Sequence, residues 1–231
     1  MDQPVTFPAG RPAIRIHGRK RSHRLSQQGQ ELLDGLLPIL SAPLDVAAQD
    51  PKSLFTGACQ EIWLEVGFGD GRHLAWRAGE NPQIGFIGCE PYVNGVAHLL
   101  THIAETGLGN IRIHPGDARD LLAALPGGSI GRIYLLFPDP WPRKRHHKRR
   151  FISPQNLTAM ARALRPGGQL IFASDSMDYC RWTQALMENH SGFTQVTQQP
   201  GDAPMTRYEA KARAAGRPAR YLCFARTSIA I

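Results

Sequence analysis

Three glycines and two acids lie close together in the segment LEVGFGDGRH. Gly67, Gly69 and Gly71 follow an apolar run, with Glu65 just before them and Asp70 among them. Glycines where a strand turns into a helix let the backbone approach a ligand closely, and open α/β sheets bind nucleotides at this position. The spacing G-x-G-x-G also suits a tight turn without a ligand, so the turn alone leaves both interpretations open.

Further acids end the next two predicted strands. Glu90 ends the second strand, where a carboxylate can accept hydrogen bonds from both hydroxyls of a ribose. Asp117, in HPGDAR, can accept from an adenine amino group, although an acid there is also typical of a helix N-cap. At the glycine turn, Asp70 and Glu65 would repel the pyrophosphate of a dinucleotide but attract the sulfonium and ammonium groups of S-adenosylmethionine. We therefore expect S-adenosylmethionine as the cofactor rather than NAD.

A fifth acid, Asp139, stands between two prolines in FPDPW, at the end of the fourth predicted strand. Proline disfavours the helical region for the residue before it, so Phe137 and Asp139 are predicted to be extended. The Asp139 carboxylate would then be held rigidly beside the cofactor. An Asp-Pro turn at a strand end is the structural alternative.

The positive charge of the chain is concentrated in two segments. The 231 residues carry a net charge of +8, of which residues 1–30 supply +5 and residues 143–150 supply +6, leaving −3 for the rest. Concentrated basic surface is typical of proteins that bind a polyanion, nucleic acid first. A single basic run is also commonly just a solvated surface.

The composition limits the other possibilities. The four cysteines are widely spaced and form neither a C-x-x-C pair nor a metal-binding pattern with histidine, so we expect reduced thiols and no metal. The N-terminal sequence has no apolar leader, and no uncharged stretch is long enough to span a bilayer. These features predict a cytoplasmic protein without a membrane segment.

Short apolar strands alternate with amphipathic helices from residue 61 onward, which predicts an α/β fold with a mostly parallel sheet covered on both faces. The predicted strands are EIWLEV, IGFIGCE, IRIHP, RIYLLF and QLIFAS, followed by FTQVTQ and RYLCFAR as an antiparallel edge pair. Helices are predicted over 71–79, 93–106, 120–125, 154–164, 177–189 and 207–216. Residues 1–25 are predicted to be a flexible basic arm, residues 26–60 a helix over SQQGQELLDGLLPIL and an irregular connector, and residues 61–231 the main domain.

Six motifs, in this order and spacing, resemble bacterial tRNA (guanine-N7-)-methyltransferases: LEVGFGDG, GCEPY, GDA, FPDPWPRKRHHKRR, ASD and TRYE. The resemblance covers the chain from about residue 61 to the C-terminus, with a weaker match in the arm at GRKRSHRLS. It implies a Rossmann-like class I methyltransferase fold with a seven-stranded sheet. It also implies S-adenosylmethionine as methyl donor and a guanosine in the tRNA variable loop as acceptor.

The resemblance also assigns site residues by motif. It implies cofactor contacts from Glu65, Gly67, Gly69, Glu90, Asp117 and Asp139. Asp139 becomes the catalytic acid where cofactor and target meet. Substrate contacts are implied for Arg143, Asp175, Thr206, Arg207, Tyr208 and Glu209, and tRNA contacts for Arg145, His146, His147, Lys148, Arg149 and Arg150. Many relatives have lysine where this chain has Arg143, which keeps the charge but changes the donor geometry.

The chemistry of guanine N7 defines what these residues must do. N7 carries a lone pair and no proton, so its methylation needs no general base. We expect Asp139, Asp175 and Glu209 together to accept from guanine N1–H and the N2 amino group and to stabilise the cationic base that forms. The T-x-x-E spacing of Thr206 and Glu209 equally fits a helix capping box. Trp141 could stack on a base or cover the sheet edge.

Further expectations concern the two adjacent histidines, the need for a partner protein and the alternative functions. His146 and His147 are predicted to point to opposite sides of an extended basic segment and to face RNA or solvent rather than a metal. Activity is expected without a partner protein. The alternatives are a methyltransferase for another RNA or a small molecule, and a non-catalytic RNA-binding protein with the same fold.

Overall fold

A computed structural model describes residues 24–57, 59–197 and 206–228 of the protein. All but the last two residues of the predicted basic arm lie outside these ranges. The described chain forms one sheet flanked by helices. None of the described helices is long and apolar enough to cross a membrane.

The sheet has seven strands in the order β3-β2-β1-β4-β5-β7-β6. The parallel strands are β1 (Glu61–Val66), β2 (Ile84–Cys89), β3 (Ile111–His114), β4 (Ile130–Leu136) and β5 (Leu164–Ser174). The remaining strands are β6 (Phe193–Val196) and β7 (Arg220–Arg226), and β7 runs antiparallel to both β5 and β6. The predicted α/β class and the antiparallel C-terminal pair are thus confirmed, with β6 outermost and β7 second from the edge.

The strand order reverses direction between β1 and β4. From β1 the chain builds outward through β2 to β3, and from β4 it builds the other way to β5. In open α/β sheets the crevice at such a reversal, outside the carboxyl ends of the strands, is where ligands bind. The glycine turn follows β1 and the FPDPW loop follows β4, so both lie at this crevice.

Nine α-helices are present in the described ranges. Their bounds are α1 (Gln27–Gly35), α2 (Leu37–Leu40), α3 (Leu44–Gln49), α4 (Arg72–Glu80), α5 (Val93–Thr106), α6 (Ala118–Ala124), α7 (Pro154–Ala163), α8 (Met177–Glu188) and α9 (Arg207–Ala214). Short 3-10 helices cover Pro51–Leu54 and Lys144–Arg149. Most predicted bounds agree within two residues.

The structure corrects three local predictions. The helix expected over residues 26–40 is divided at Leu36 into α1 and α2, with Pro38 in the first turn of α2. The connector expected to be irregular contains α3 and a 3-10 helix, because Pro43 and Pro51 stand at helix starts, where a fixed φ is favourable. The basic segment expected to be extended is the second 3-10 helix.

The side chains of alternate residues in the central strands pack into two separate hydrophobic cores, one on each face of the sheet. Ile62 and Leu64 of β1 join the core on one face of the sheet. Trp63, between them, joins the core on the other face together with Leu74 of α4 and Leu100 of α5. Glu65 has the same parity as Trp63 and therefore lies on the face that α4 covers.

Candidate active site

The turn after β1 requires its glycines. Gly67, Gly69 and Gly71 have φ values of 72°, 61° and 78°, in the left-handed region that favours glycine. A Cβ on Gly71 would lie 2.7 Å from the side chain of Leu99. A Cβ on Gly95 of α5 would lie 2.3 Å from the carbonyl oxygen of Gly69, so α5 packs directly against the turn. Gly95 was not identified from the sequence, although a glycine in the first turn of a helix indicates close packing.

Glu90 is held by the backbone at the end of β2. Its Oε2 accepts from the Gly69 N–H at 2.9 Å, and its Oε1 accepts from the Tyr92 N–H at 3.0 Å. Burial raises the pKa of Glu90, the two N–H donors oppose this, and the charges of Asp139 and Glu65 raise the pKa further. The three acids therefore converge on one edge of the sheet. Each oxygen of Glu90 keeps a second lone pair that a ligand could use.

Glu65 is almost completely buried at the end of β1, with 3% of its surface exposed. Its Oε2 lies 2.7 Å from Nδ1 of His73, in the first turn of α4. Nε2 of His73 in turn lies 3.4 Å from Nε of Arg77. Neither His73 nor Arg77 was identified from the sequence, because a histidine in the first turn of a helix is as often exposed as buried.

Asp117 forms the N-cap of α6. Its Oδ1 accepts from the Arg119 N–H at 3.0 Å, and the Arg119 guanidinium donates to both carboxylate oxygens, with Nε at 2.9 and 3.0 Å. The N-cap alternative is confirmed. The contact with an adenine amino group stays a prediction, and it would share this carboxylate with Arg119.

The FPDPW loop corrects the predicted backbone. Phe137 has φ 51° and Trp141 has φ 44°, so Phe137 is left-handed rather than extended. Proline disfavours the right-handed helical region for the residue before it, and the N–H of Phe137 stays bonded to the carbonyl of Ala173 at 2.8 Å while the chain leaves the sheet. Left-handed backbone at bulky residues costs about 1–3 kcal/mol each and clusters at functional sites. The loop is therefore strained on both sides of Asp139.

The Asp139 carboxyl is reachable from solvent and is nevertheless partly surrounded by protein. This desolvation raises its pKa. Within the described part of the chain, its side chain has no hydrogen-bond or ion-pair partner. A ligand that offers an N–H donor or a positive charge would compensate for the lost hydration.

The predicted substrate residues of the C-terminal region are tied to the sheet. Thr206 caps α9 by accepting from the Glu209 N–H at 3.0 Å, which confirms half of the capping box. The Glu209 carboxylate accepts from the Tyr221 hydroxyl at 2.7 Å instead of completing the box. Burial and the contact with Glu209 raise the pKa of Tyr221. Asp175, after β5, accepts from Nε of Arg217 at 2.9 Å.

Tyr208 connects these substrate residues with the glycine turn. Its side chain is 57% exposed, and its Cε2 would lie 3.3 Å from a Cβ on Gly69. The N-terminus of α9 therefore reaches the turn predicted to hold the cofactor. Arg207 begins α9, but its side chain lies outside what the structure describes.

The basic segment divides into packed and exposed residues. Arg149 lies with its guanidinium carbon 4.9 Å from the centroid of the Trp141 ring, and His146 meets the same ring edge-on at 5.9 Å. His147 packs edge-on against Trp182 at 5.5 Å. Trp141 is thus partly covered by its own segment. The exposed cations are Arg143, Lys144, Arg145 and Lys148.

Arg150, predicted to contact RNA, is buried, with 3% of its surface exposed. Its guanidinium carbon lies 4.9 Å from the ring centroid of Tyr179 and 5.2 Å from that of Trp182, and the group pairs with Asp178. Its Nε donates to the carbonyl oxygen of Pro140 at 2.9 Å. The prediction was wrong in placing Arg150 on the RNA-facing surface: these protein contacts hold it inside, where it ties down the loop that carries Asp139.

Other reactive groups do not add to the site. Cys89, Cys180 and Cys223 are free and buried, and burial raises the pKa of each thiol. Among the residues described, no group of three histidine, cysteine or acidic side chains is arranged to hold a metal ion.

Solved methyltransferase structures share this fold. The 16S rRNA methyltransferase KamB matches with a TM-score of 0.54 at 18% identity, over 74% of this chain and 89% of that one. An rRNA methylase from Streptococcus thermophilus matches with a TM-score of 0.52 at 12% identity, over 89% of this chain and 100% of that one. At such low identity these matches establish the fold, a Rossmann-like class I methyltransferase, and nothing further.

Sequence relatives are much closer. A family model described as "Putative methyltransferase" matches residues 59–222. A tRNA (guanine-N(7)-)-methyltransferase of Rhodospirillum rubrum is 44% identical over 92% of this chain and 88% of its own length. Another of the same name, from Nitrobacter hamburgensis, is 46% identical over 91% of this chain and 86% of its own length. This chain therefore belongs to the family of bacterial tRNA (guanine-N(7)-)-methyltransferases.

Proposed function

We propose that this protein transfers a methyl group from S-adenosylmethionine to N7 of a guanosine in the variable loop of tRNA. The observation that carries the proposal is the convergence of Glu65, Glu90 and Asp139 at the switch point of the sheet. Exposed cations follow Asp139 a few residues later in the chain. The names of the relatives support tRNA as the acceptor.

The acidic edge fits a cationic nucleoside cofactor. The negative charges of Glu65 and Asp139 both raise the pKa of Glu90, which means that each of them repels the Glu90 carboxylate. A bound cation would relieve that repulsion. Glu90 is oriented by two backbone donors and retains lone pairs for ribose hydroxyls. When bound, S-adenosylmethionine supplies a methyl group activated by a positive sulfonium. Glu65, Glu90 and Asp117 would hold it against the glycine turn.

Asp139 acts by recognition and electrostatics in this proposal. N7 of guanine has no proton to lose, so Asp139 is not needed as a general base. Its carboxylate has no partner within the described chain and can accept from guanine N1–H or the N2 amino group. The same negative charge favours the cationic base that forms at N7. The strained, tethered loop keeps the carboxylate in place before the base arrives.

The start of α9 would hold the other side of the target nucleotide. Asp175 and Glu209 each accept one hydrogen bond within the protein, which fixes their carboxylates and leaves lone pairs for the base. Tyr208, next to Glu209 in α9, lies against the glycine turn. These residues are proposed to select guanine together with Asp139.

The exposed cations would meet the phosphates of the tRNA. Arg143, Lys144, Arg145 and Lys148 lie in or next to the 3-10 helix that follows the Asp139 loop. Phosphate contacts fix the register of an RNA without reading its sequence, so they would deliver the target base to the acids. We place this reaction in the cytoplasm and expect it to proceed without a partner protein.

A methylation assay tests the proposal. Purified protein is incubated with labelled S-adenosylmethionine and unmodified tRNA, and the methylated nucleoside and its position are identified by nuclease digestion and mass spectrometry. We expect N7-methylguanosine in the variable loop, and no product when that guanosine is replaced by adenosine. A ribosomal RNA fragment that is methylated in preference to tRNA would contradict the proposal, as would the absence of N7-methylguanosine at saturating protein.

A further inference from the structure

Glu65 depends on one side chain for its hydrogen bonding. Its carboxylate is 4% exposed, and within the described residues its only side-chain hydrogen-bond partner is His73, itself 6% exposed, at 2.7 Å. Oε1 of Glu65 has no partner in the described part of the chain. A carboxylate in so dry a position is costly unless donors satisfy it, so the single N–H donor has a large influence on where the carboxylate points.

Arg77 determines which nitrogen of His73 carries the proton. Nε of Arg77 lies 3.4 Å from Nε2 of His73, and a protonated arginine nitrogen can only donate a hydrogen bond. Nε2 must therefore accept, which leaves the proton on Nδ1, facing Glu65. The imidazole is also held edge-on by the Tyr134 ring, with centroids 5.2 Å apart. The Arg77 guanidinium carbon lies 5.1 Å and 5.3 Å from the ring centroids of Trp76 and Tyr134.

We propose that His73 is a positioning residue for Glu65, and that the Nδ1–H donor sets the affinity of the protein for its cofactor. The proposal rests on the proposed function, in which Glu65 contacts S-adenosylmethionine. His73 satisfies Oε2 and so leaves Oε1 for the ligand. Because His73 lies in the first turn of α4, the same bond ties the helix after the glycine turn to β1.

Two isosteric variants separate the two nitrogens of the ring. His73→Asn keeps an N–H donor near the position of Nδ1, facing Glu65. His73→Gln places its amide near the position of Nε2, facing Arg77, and His73→Leu removes both groups. Binding of S-adenosylhomocysteine is measured by calorimetry without RNA, and thermal unfolding is followed for each variant. We expect His73→Gln and His73→Leu to bind about 10- to 100-fold more weakly and His73→Asn to stay within about threefold of the parent.

A double-mutant cycle distinguishes positioning from a purely structural role. If His73 acts through Glu65, then His73→Leu has little further effect in a Glu65→Gln background, whereas independent losses would add. Rescue by His73→Asn at equal thermal stability would support the proposal. It is overturned if His73→Asn binds as weakly as His73→Gln, if both bind like the parent, or if the losses add in the cycle. A parent protein that does not bind S-adenosylhomocysteine at all would instead refute the proposed function, and this inference with it.

Discussion

The acids of the site and the basic segment beside them are built differently. Glu65, Glu90 and Asp117 each have a fixed donor, from a buried histidine, from backbone N–H groups or from an arginine. In the basic segment, Lys144 and Lys148 are exposed and have no hydrogen bond or ion pair within the described chain. A small ligand must be placed to a fraction of an ångström for transfer, whereas mobile cations can follow an RNA backbone. The difference indicates that ligands must be positioned more precisely at the acids than at the basic segment.

Arg150 is part of the basic run in the sequence, but in the structure its side chain contacts the loop that carries Asp139. Its side chain is buried between Tyr179 and Trp182 and donates to the carbonyl of Pro140, next to Asp139. A cation in the interior therefore anchors the loop that carries Asp139. Two roles would explain why the basic run follows Asp139: the buried Arg150 attaches the loop, and the exposed cations are proposed to bind the phosphates of the tRNA.

The largest effect is expected from Asp139→Asn. The substitution keeps the shape of the side chain but removes the charge that stabilises the cationic base, so turnover should fall about 10²- to 10³-fold. Because the basic segment is intact, tRNA affinity should change little. Methylation rates with saturating tRNA, beside a binding titration of the same tRNA, provide the measurement. Turnover close to that of the parent would remove Asp139 from the active centre.

The stability of the same variant tests the environment of the carboxyl. Desolvation raises the pKa of Asp139 in the folded state, so the folded protein holds this proton more tightly than the unfolded chain does. Protonated Asp139 therefore stabilises the folded state when the pH is below the pKa that this carboxyl has in the unfolded chain. The contribution is lost as the pH rises through the pKa that it has in the folded protein. At neutral pH, Asp139→Asn should therefore unfold at the same or a higher temperature than the parent, with the difference disappearing in acid. A lower unfolding temperature at neutral pH would show that the charge is satisfied by the protein.

Arg150→Ala should mainly affect stability and loop position. It removes the bond to Pro140, the ion pair with the exposed Asp178 and two cation–aromatic contacts, which together contribute on the order of 2 kcal/mol, or about 4–8 °C in unfolding temperature. Turnover should fall about tenfold as the Asp139 loop loosens. The matched control is Arg145→Ala, which removes an equal charge from an exposed position of the same segment. Equal unfolding temperatures for the two variants would mean that Arg150 does not anchor the loop.

The sheet was predictable because its signals are local. The alternation of apolar runs with capped helices gave the bounds of α5 without error, and the strands EIWLEV and RYLCFAR likewise. The common position of Glu65, Glu90 and Asp139 was also predictable, since each stands at or just after the end of a strand and parallel strands end at one edge. The position of β7 between β5 and β6 was not, because strand pairing depends on contacts far apart in sequence.

The partners of the site residues could not be derived from sequence. Nothing in the spacing of Glu65 and His73 distinguishes a buried pair from a surface histidine, and the link from Arg150 to Pro140 needs the folded loop. The left-handed Phe137 contradicts the local preference, because the sheet continues to bind its N–H while the chain turns away. In each case tertiary contacts decide a feature that local rules leave open.

The smallest effect, and the most specific for the basic segment, is expected in the salt dependence of tRNA binding. Each exposed cation that neutralises a phosphate releases a counterion, so the double variant Lys144→Ala/Lys148→Ala should reduce the slope of log K against log salt by about 1.5–2 units. Affinity at moderate salt should fall only several-fold, and S-adenosylhomocysteine binding should not change. Arg165→Ala is the control: Arg165 lies at the start of β5, at the sheet edge opposite the site, where its loss should leave the slope as it is. An equal slope change per charge removed would mean that RNA binding follows the total charge of the protein, and the division of the basic segment into packed and exposed cations would then have no bearing on how tRNA is held.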